Sequence, residues 1–270
     1  MPLSVDLITL GVPQVEAARD FYTAAFSATA AATGGGGHTA AVDLHGTGRL
    51  ALHPVDALAT GCGTTPAASG FRGYVLSAIV GRPAEVRALL QSATGNGATV
   101  VKPARKQLFG EFTAVYQAPD GAVWKLAAAS KKDTHPVPGP PKPAETAVYL
   151  GVAKPTASKA FYERLGMSVR HDYGDTFIDF TITSGGRCRL GLLPRKGLAK
   201  DAGVGEHGDG FSALVLTHTA ASRDEVDALL AAAASAGGRI TAAAARTGQG
   251  DYAGRFTDPD GFHWSITAPA

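Results

Sequence analysis

Residues 5–12 alternate apolar and polar side chains and predict a strand, after which Pro13-Gln14-Val15 opens a helix. That helix places Val15, Ala18, Phe21, Tyr22 and Ala25 on one face. Three short strand-like stretches follow near residues 28–33, 38–44 and 49–54, separated by glycine-bearing turns. The pattern then restarts. Residues 73–80 predict a strand and residues 83–93 a helix, with Val86, Leu89, Leu90 and Ala93 inward and Asn96-Gly97 as its stop. Strands are expected near 98–102, 112–117 and 122–128. The order is strand, helix, strand, strand, strand, and the second half of the chain runs through it twice more. There Ser222 and Glu225 form a capping box ahead of Val226, Leu229 and Leu230.

The two halves match at one offset of 140 residues, without a gap. Leu10-Gly11-Val12 returns as Leu150-Gly151-Val152, Phe21-Tyr22 as Phe161-Tyr162, Arg49-Leu50 as Arg189-Leu190, and Gly70-Phe71 as Gly210-Phe211. Glu85-Val86 returns as Glu225-Val226, and Trp124 as Trp264. One register held over this length makes the chain two tandem copies of one domain. The copies are expected at residues 1–130 and 145–270, with 131–144 as a linker. Prolines at 136, 138, 140, 141 and 143 remove backbone donors there and favour an extended conformation. The glycine run 34–37 reads as a loose hairpin tip and the alanine run 231–234 as helix. If each helix covers one sheet face, paired modules leave the other faces curving around a cavity.

Composition narrows the partners. With 270 residues, each copy can bury its own core. A balance of 25 basic against 23 acidic residues, with no basic tract longer than a pair such as Lys131-Lys132, gives no reason to expect nucleic acid. Cys62 and Cys188 are too few for a disulfide framework and lack metal-site spacing, so both are expected to be reduced structural thiols. The first residues lack the charged region and long apolar run of a secretory signal, and no stretch approaches a membrane span. A cytoplasmic protein, monomer or homodimer, is expected.

Each copy ends in the same device. Ala118-Pro119-Asp120-Gly121 and Asp258-Pro259-Asp260-Gly261 are turns in which proline pre-sets φ and glycine takes a conformation that a side chain would forbid. In the strand after each turn, Val123, Lys125 and Ala127 share one face and Trp124 takes the other. The same parity puts His263 with Ser265 and turns Trp264 away, so both tryptophans are expected under the helices.

The module order, the Leu-Gly-Val strand, the Arg-Asp-Phe-Tyr helix and the Pro-Asp-Gly turn together resemble the vicinal oxygen chelate superfamily, the group of glyoxalase I, the bleomycin-resistance proteins and the extradiol dioxygenases. The resemblance covers nearly the whole chain outside the linker. It implies an α+β fold of two tandem glyoxalase-like domains, each of two βαβββ modules forming a curved mixed-sheet cup with helices outside. In the metal-using members a divalent ion chelates vicinal substrate oxygens and acts as a Lewis acid. Carried over, that pattern puts the ligands at Leu7, Ala51, Arg72 and Lys125 in the first copy and at Ala147, Gly191, Ser212 and Ser265 in the second. None is a good metal ligand, and the Lys125 ammonium would repel a dication. No metal site of the family type, and no other cofactor, is expected.

Among the eight histidines, His38, His45 and His53 lie on successive segments of one module and read as partly exposed polar positions. His263 shares the inward face with Ser265 and is a candidate hydrogen-bonding group or base; the plainer reading is a histidine at the cup mouth held by a neighbour. Lys125 is open to three readings. Desolvation would make it a nucleophile or base, it could bind an anionic ligand or pair with a carboxylate, or it could snorkel to water. Strand parity offers Thr9, Arg72, Tyr74, Tyr116 and Lys125 to a cup in the first copy, and Tyr149, Arg189, His263 and Ser265 to one in the second. The leading expectation is a metal-independent small-molecule binding protein of the bleomycin-resistance type, serving drug sequestration or natural-product metabolism. The alternative is a metal-independent lyase, isomerase or hydrolase using Lys125 or the His263/Ser265 pair. The third is a metal-dependent glyoxalase or dioxygenase with atypical ligands.

Overall fold

The structure is a computed structural model that describes residues 2–31, 39–66, 68–107, 110–133, 139–183 and 186–270. His38, the glycine run 34–37 and linker residues 134–138 lie outside the described residues.

Four βαβββ modules are present. The first is β1 (Leu7–Val12), α1 (Val15–Phe26), β2 (Thr29–Ala31), β3 (Ala40–Asp43) and β4 (Arg49–Pro54). A short helix α2 (Val55–Gly61) and strand β5 (Ala68–Gly70) lead to the second: β6 (Tyr74–Val80), α3 (Pro83–Gly95), β7 (Thr99–Lys106), β8 (Phe112–Gln117) and β9 (Val123–Ala128). The third comprises β10 (Glu145–Val152), α4 (Pro155–Arg164), β11 (Val169–Asp172), β12 (Ile178–Phe180) and β13 (Arg189–Pro194). After α5 (Arg195–Ala202) and β14 (Gly208–Gly210) comes the fourth: β15 (Leu214–Thr219), α6 (Arg223–Ser235), β16 (Arg239–Arg246), β17 (Tyr252–Thr257) and β18 (His263–Ala268). The alanine run lies in α6, whose N-terminus is capped by the Ser222 side chain accepting from Glu225 N.

The modules join into two eight-stranded mixed sheets, neither closed into a barrel. One runs β16-β17-β18-β15-β1-β4-β3-β2, the other β11-β12-β13-β10-β6-β9-β8-β7. The first module therefore pairs with the fourth and the second with the third. Both junctions are antiparallel and related by the 140-residue offset: Leu7 faces Thr217 in one and Ala147 faces Ser77 in the other. The strands β5 and β14 also pair across this pseudo-two-fold, centred on Ser69 and Asp209.

Alternation sends Ile8, Leu10, Leu50, Leu52, Leu216 and Ile266 to one face of the first sheet, where all are fully or almost fully buried. The equivalent face of the second sheet carries Leu76, Leu126, Val148 and Leu150, and both faces belong to one continuous apolar core. Aromatic rings tie them together. Tyr22 and Phe26 of α1 pack against Trp124 with centroids 5.9 and 4.9 Å away, and Tyr162 of α4 packs 5.8 Å from Trp264. Trp124 and Trp264 are completely buried on this face, as their parity predicts. Gly121 and Gly261 of the two turns have φ of 88° and 91°, the left-handed region that a Cβ would strain. Among the described residues, no helix is long and apolar enough to cross a membrane.

Candidate functional site

The faces away from the helices are the cups, and the registers show what lines them. In the first sheet one row runs Ala51, Thr9, Val215, His263, Thr257, and the next runs Leu7, Thr217, Ser265, Arg255. In the second, Gly191, Tyr149, Val75 lie beside Arg189, Ala147, Ser77, Lys125, Val115. The sequence grouping into one cup per copy is thus corrected. Thr9 shares its sheet with His263 and Ser265, whereas Lys125 shares one with Tyr149 and Arg189. The reason is the cross-pairing of modules, which alternation alone cannot specify. Tyr116 needs a second correction: its side chain packs into the helix-side core, 1 % exposed and stacked on Trp124, whereas Tyr74, 2 % exposed, packs in the same core and also borders the cavity described below. Burial raises the Tyr116 phenol well above its usual range and pushes Tyr74 up to about 12.

Nor are the cups open hollows. Each is crossed by a short helix, α2 after the first module in one and α5 after the third in the other. Leu58 and Ala59 of α2, with Cys62 just beyond it, pack on Ala213, Val215 and Phe211; Leu198, Ala199 and Ala202 of α5 pack with Val75, Val115 and Val123. The glycine of each Leu-Gly-Val strand makes room for this. A Cβ on Gly11 would lie 3.2 Å from Leu58 and Val55 side chains, and one on Gly151 would lie 3.0 Å from the Arg195 Cα and the Gly73 carbonyl oxygen. The apolar spacing in residues 55–62 and 198–202 is the signal that could have revealed these helices, but they are only 7 and 8 residues long.

Cations fasten the C-terminal ends of both helices, where unpaired carbonyls concentrate negative charge. The Lys125 ammonium donates to Asp201 Oδ2 at 2.8 Å, and Lys102 donates to the carbonyls of Lys200 and Asp201 at 2.9 and 2.6 Å. In the other cup Arg255 donates to the Gly61 carbonyl. Of the three readings of Lys125, the geometry supplies a carboxylate partner. Arg189 is likewise engaged: it bridges buried Asp179 and Glu145, while His171 Nδ1 lies 2.9 Å from Asp179. Burial opposes the Arg189 charge, but those two carboxylates outweigh it and raise the guanidinium above its ordinary value. Tyr149 lies over Gly191 with Phe177 edge-on at 6.1 Å, and burial raises its phenol.

The donor set does not suit a divalent ion. The four family positions of the first sheet region hold Leu7, Ala51, Ser212 and Ser265, with the Arg255 guanidinium in register beside Ser265. Those of the second hold Ala147, Gly191, Arg72 and Lys125, which bring two cations and no carboxylate or imidazole. Among the described residues no three His, Cys, Asp or Glu side chains gather as a metal site. His45 does not face the cup; its Nε2 lies 2.9 Å from the Phe26 carbonyl oxygen. Burial first, and then Arg255, lowers the His53 pKa.

What remains open is the mouth of each cup, and the two mouths are pseudo-equivalent. A cavity of about 330 Å³ is lined by Phe71, Arg72, Tyr74, Gln117, Val123 and Val204. A second, of about 180 Å³, is lined by their counterparts Phe211, Ser212, His263 and Thr64, and also by Arg72 and Arg195. Phe262 in the smaller cavity replaces Ala122 of the larger and reduces its volume. Arg72 thus borders both, and its Nη2 donates to the Asp120 carbonyl at 2.9 Å. His263 stands edge-on to Phe211 at 5.5 Å; its pKa is lowered by burial first and then by Arg239 and Arg255. Ser265 is paired opposite Arg255.

Comparison with known proteins agrees with this architecture. The family described as Glyoxalase/Bleomycin resistance protein/Dioxygenase superfamily matches residues 4–126 and again residues 145–266. Among solved structures, glyoxalase I from Zea mays is similar at 16 % identity and a TM-score of 0.63, over 98 % of this chain and 92 % of that one. A putative dioxygenase from Bacillus subtilis is similar at 15 % identity and a TM-score of 0.62, over 99 % of this chain and 85 % of that one. At such identities the likeness concerns the fold alone. No curated protein matches in sequence. With its family pattern matched twice over nearly the whole length and its modules assembled into two mixed sheets, the chain belongs to the Glyoxalase/Bleomycin resistance protein/Dioxygenase superfamily as a tandem two-domain member.

Proposed function

We propose that the protein binds a compact, partly aromatic or anionic small molecule without a metal, in the 330 Å³ cavity at the mouth of the second cup. The observation that carries this reading is Lys125. It stands where the family pattern has a metal-binding glutamate, and its ion pair with Asp201 holds α5 across the space a chelated substrate would need. The cavity beside it combines apolar wall, from Phe71, Val123 and Val204, with the Arg72 guanidinium and the Gln117 amide, the mixture that fixes a small ligand's orientation. Arg72 favours a carboxylate, because its planar fork matches two oxygens at once. Sequestration of a drug or natural product is the role that fits.

The test is metal analysis of the purified protein together with calorimetry against a panel of aromatic carboxylates and their neutral amides. The expected result is sub-stoichiometric metal, carboxylate binding unaffected by chelation, and a loss of roughly tenfold in Arg72→Met that spares the amides. Lys125→Met should retain amide binding, since its amine serves the helix. Stoichiometric divalent metal with a chelator-sensitive glyoxalase-like activity would overturn the proposal, and turnover abolished by Lys125→Met would favour the metal-free enzyme.

A further inference from the structure

The smaller cavity is the chemically divergent copy of the larger one. Where the larger has Val123, it has His263; where the larger has Arg72, it has Ser212. Both new polar groups are directed to buried positions that protein atoms do not satisfy: Ser212 Oγ and His263 Nδ1 are each buried with no hydrogen-bond partner. Both residues line the half-open cavity, and their unpartnered atoms offer a serine O–H and, in the tautomer protonated at Nδ1, an imidazole N–H.

Charge around the cavity has one sign in excess. Arg72 and Arg195 both line it. Arg195 is committed to the backbone, donating to the carbonyls of Phe71, Gly208 and Glu206 at 2.6, 3.0 and 3.2 Å, but its charge remains. Arg72 donates from Nη2 to the Asp120 carbonyl, and its planar fork carries five N–H donors in all. The one lining carboxylate, Asp260, is already occupied: Oδ1 accepts from Ala153 N at 2.8 Å and Oδ2 from Ser158 Oγ at 2.6 Å. A site with donors, two guanidinium charges and a single carboxylate already accepting two hydrogen bonds selects against cations and in favour of an oxygen anion. Its 180 Å³ equals about six water-sized volumes, enough for an anion of a few heavy atoms and too little for a drug-sized ligand.

From this geometry we infer that the 180 Å³ cavity is a second binding site, for a compact oxyanion of the carboxylate or phosphate class, held by Ser212, His263 and Arg72. It stands apart from the ligand proposed for the larger cavity, because Ser212 and His263 have no part there.

The test uses the full chain at constant ionic strength, titrated calorimetrically with acetate in one arm and inorganic phosphate in the other. Nitrogen and proton spectra of the His263 ring are recorded alongside. Saturable binding of at least one anion is expected, with a shift of the His263 Nδ1 resonance and a loss of about tenfold in affinity in both Ser212→Ala and His263→Gln. Arg19→Ala, which removes a remote surface cation, should leave the affinity unchanged. Saturation by acetate alone identifies a carboxylate site and saturation by phosphate alone a phosphate site; either supports the inference. Absence of saturation by both anions overturns it, as does saturation that neither Ser212→Ala nor His263→Gln weakens. Circular dichroism of each variant separates lost binding from lost fold. If His263→Gln unfolds, Ser212→Ala and the resonance shift still decide the question. Arg72 borders both cavities, so acetate binding that Ser212→Ala and His263→Gln leave unchanged belongs to the larger cavity, and the two proposals fail separately.

Discussion

Asp258 offers a direct test of how the repeated turn is held. Its carboxylate is buried in the core, where Oδ1 accepts from Phe262 N at 2.8 Å and Asp260 N at 3.0 Å, and Oδ2 accepts from the Tyr162 hydroxyl at 2.5 Å. Burial dominates these bonds and raises the carboxyl from 3.8 to about 7. Between those values the folded chain binds a proton that the unfolded chain has released, so stability contributed by this group is complete below the lower value and is lost as pH rises through the window. Each pH step of about one across that window removes about 1.4 kcal/mol, so the interval from about pH 5 to about pH 8 carries roughly 3 kcal/mol. Asp258→Asn retains an acceptor for the two backbone donors and does not ionise. The expected outcome is that Asn gains on the wild type by roughly 3 kcal/mol on going from about pH 5 to about pH 8, in urea unfolding followed at both. Contributions from other titrating groups cancel in that difference. A difference between wild type and variant that is the same at both pH values would refute the burial of an ionisable carboxylate at this turn.

Gly151→Ala should cost about 1–3 kcal/mol, because its Cβ would press on the Arg195 backbone, whereas Gly11→Ala should cost less, because Leu58 and Val55 can shift; urea unfolding of the pair tests whether α5 and α2 lie on their cups as described. Arg255→Met should raise the titration midpoint of both His53 and His263, since it removes one cation that opposes their protonation while burial remains, and proton NMR titration of the two rings measures it. Unchanged midpoints would place Arg255 away from both imidazoles.

The copies solve one structural problem in two ways. In the first, Tyr22 donates to Asp120 at 2.7 Å, and Asp120 also accepts from Ala122 N; in the second, Tyr162 turns to Asp258, two positions earlier in its own turn. Trp124 and Trp264 each bring Nε1 to the tyrosine oxygen, 3.4 and 3.3 Å away. The helix ends over the cups show the same economy, with Lys102 at one and Arg255 at the other meeting carbonyls of equivalent position. Duplicated modules are thus constrained by the job at a place in the fold, here a buried tyrosine partner or a charged helix end, and less by the residue that does it.

Much of this was legible in the chain itself. The 140-residue register, the proline-glycine turns and the strand parity of Trp124 and Trp264 are local properties, and local periodicity decides which element forms and which side chain faces a core. Tyr116 was misplaced by one position of strand parity, since it pairs with the core-facing Trp124, and the division of candidates between cups arose where the question became long-range. Because the four modules carry nearly the same alternation, β1 could have paired with β6 or with β15 on hydrophobic pattern alone; tertiary assembly chose β15 and so moved Thr9 to His263 and Lys125 to Tyr149. The helices α2 and α5 are too short to announce themselves by period, and their stability rests on the sheet they cover and the cations at their ends. By itself, then, the sequence determined the repeated unit and its buried faces. Only the folded chain decided which units share a sheet, what fills each cup, and that the two mouths have come to differ as Val123 does from His263.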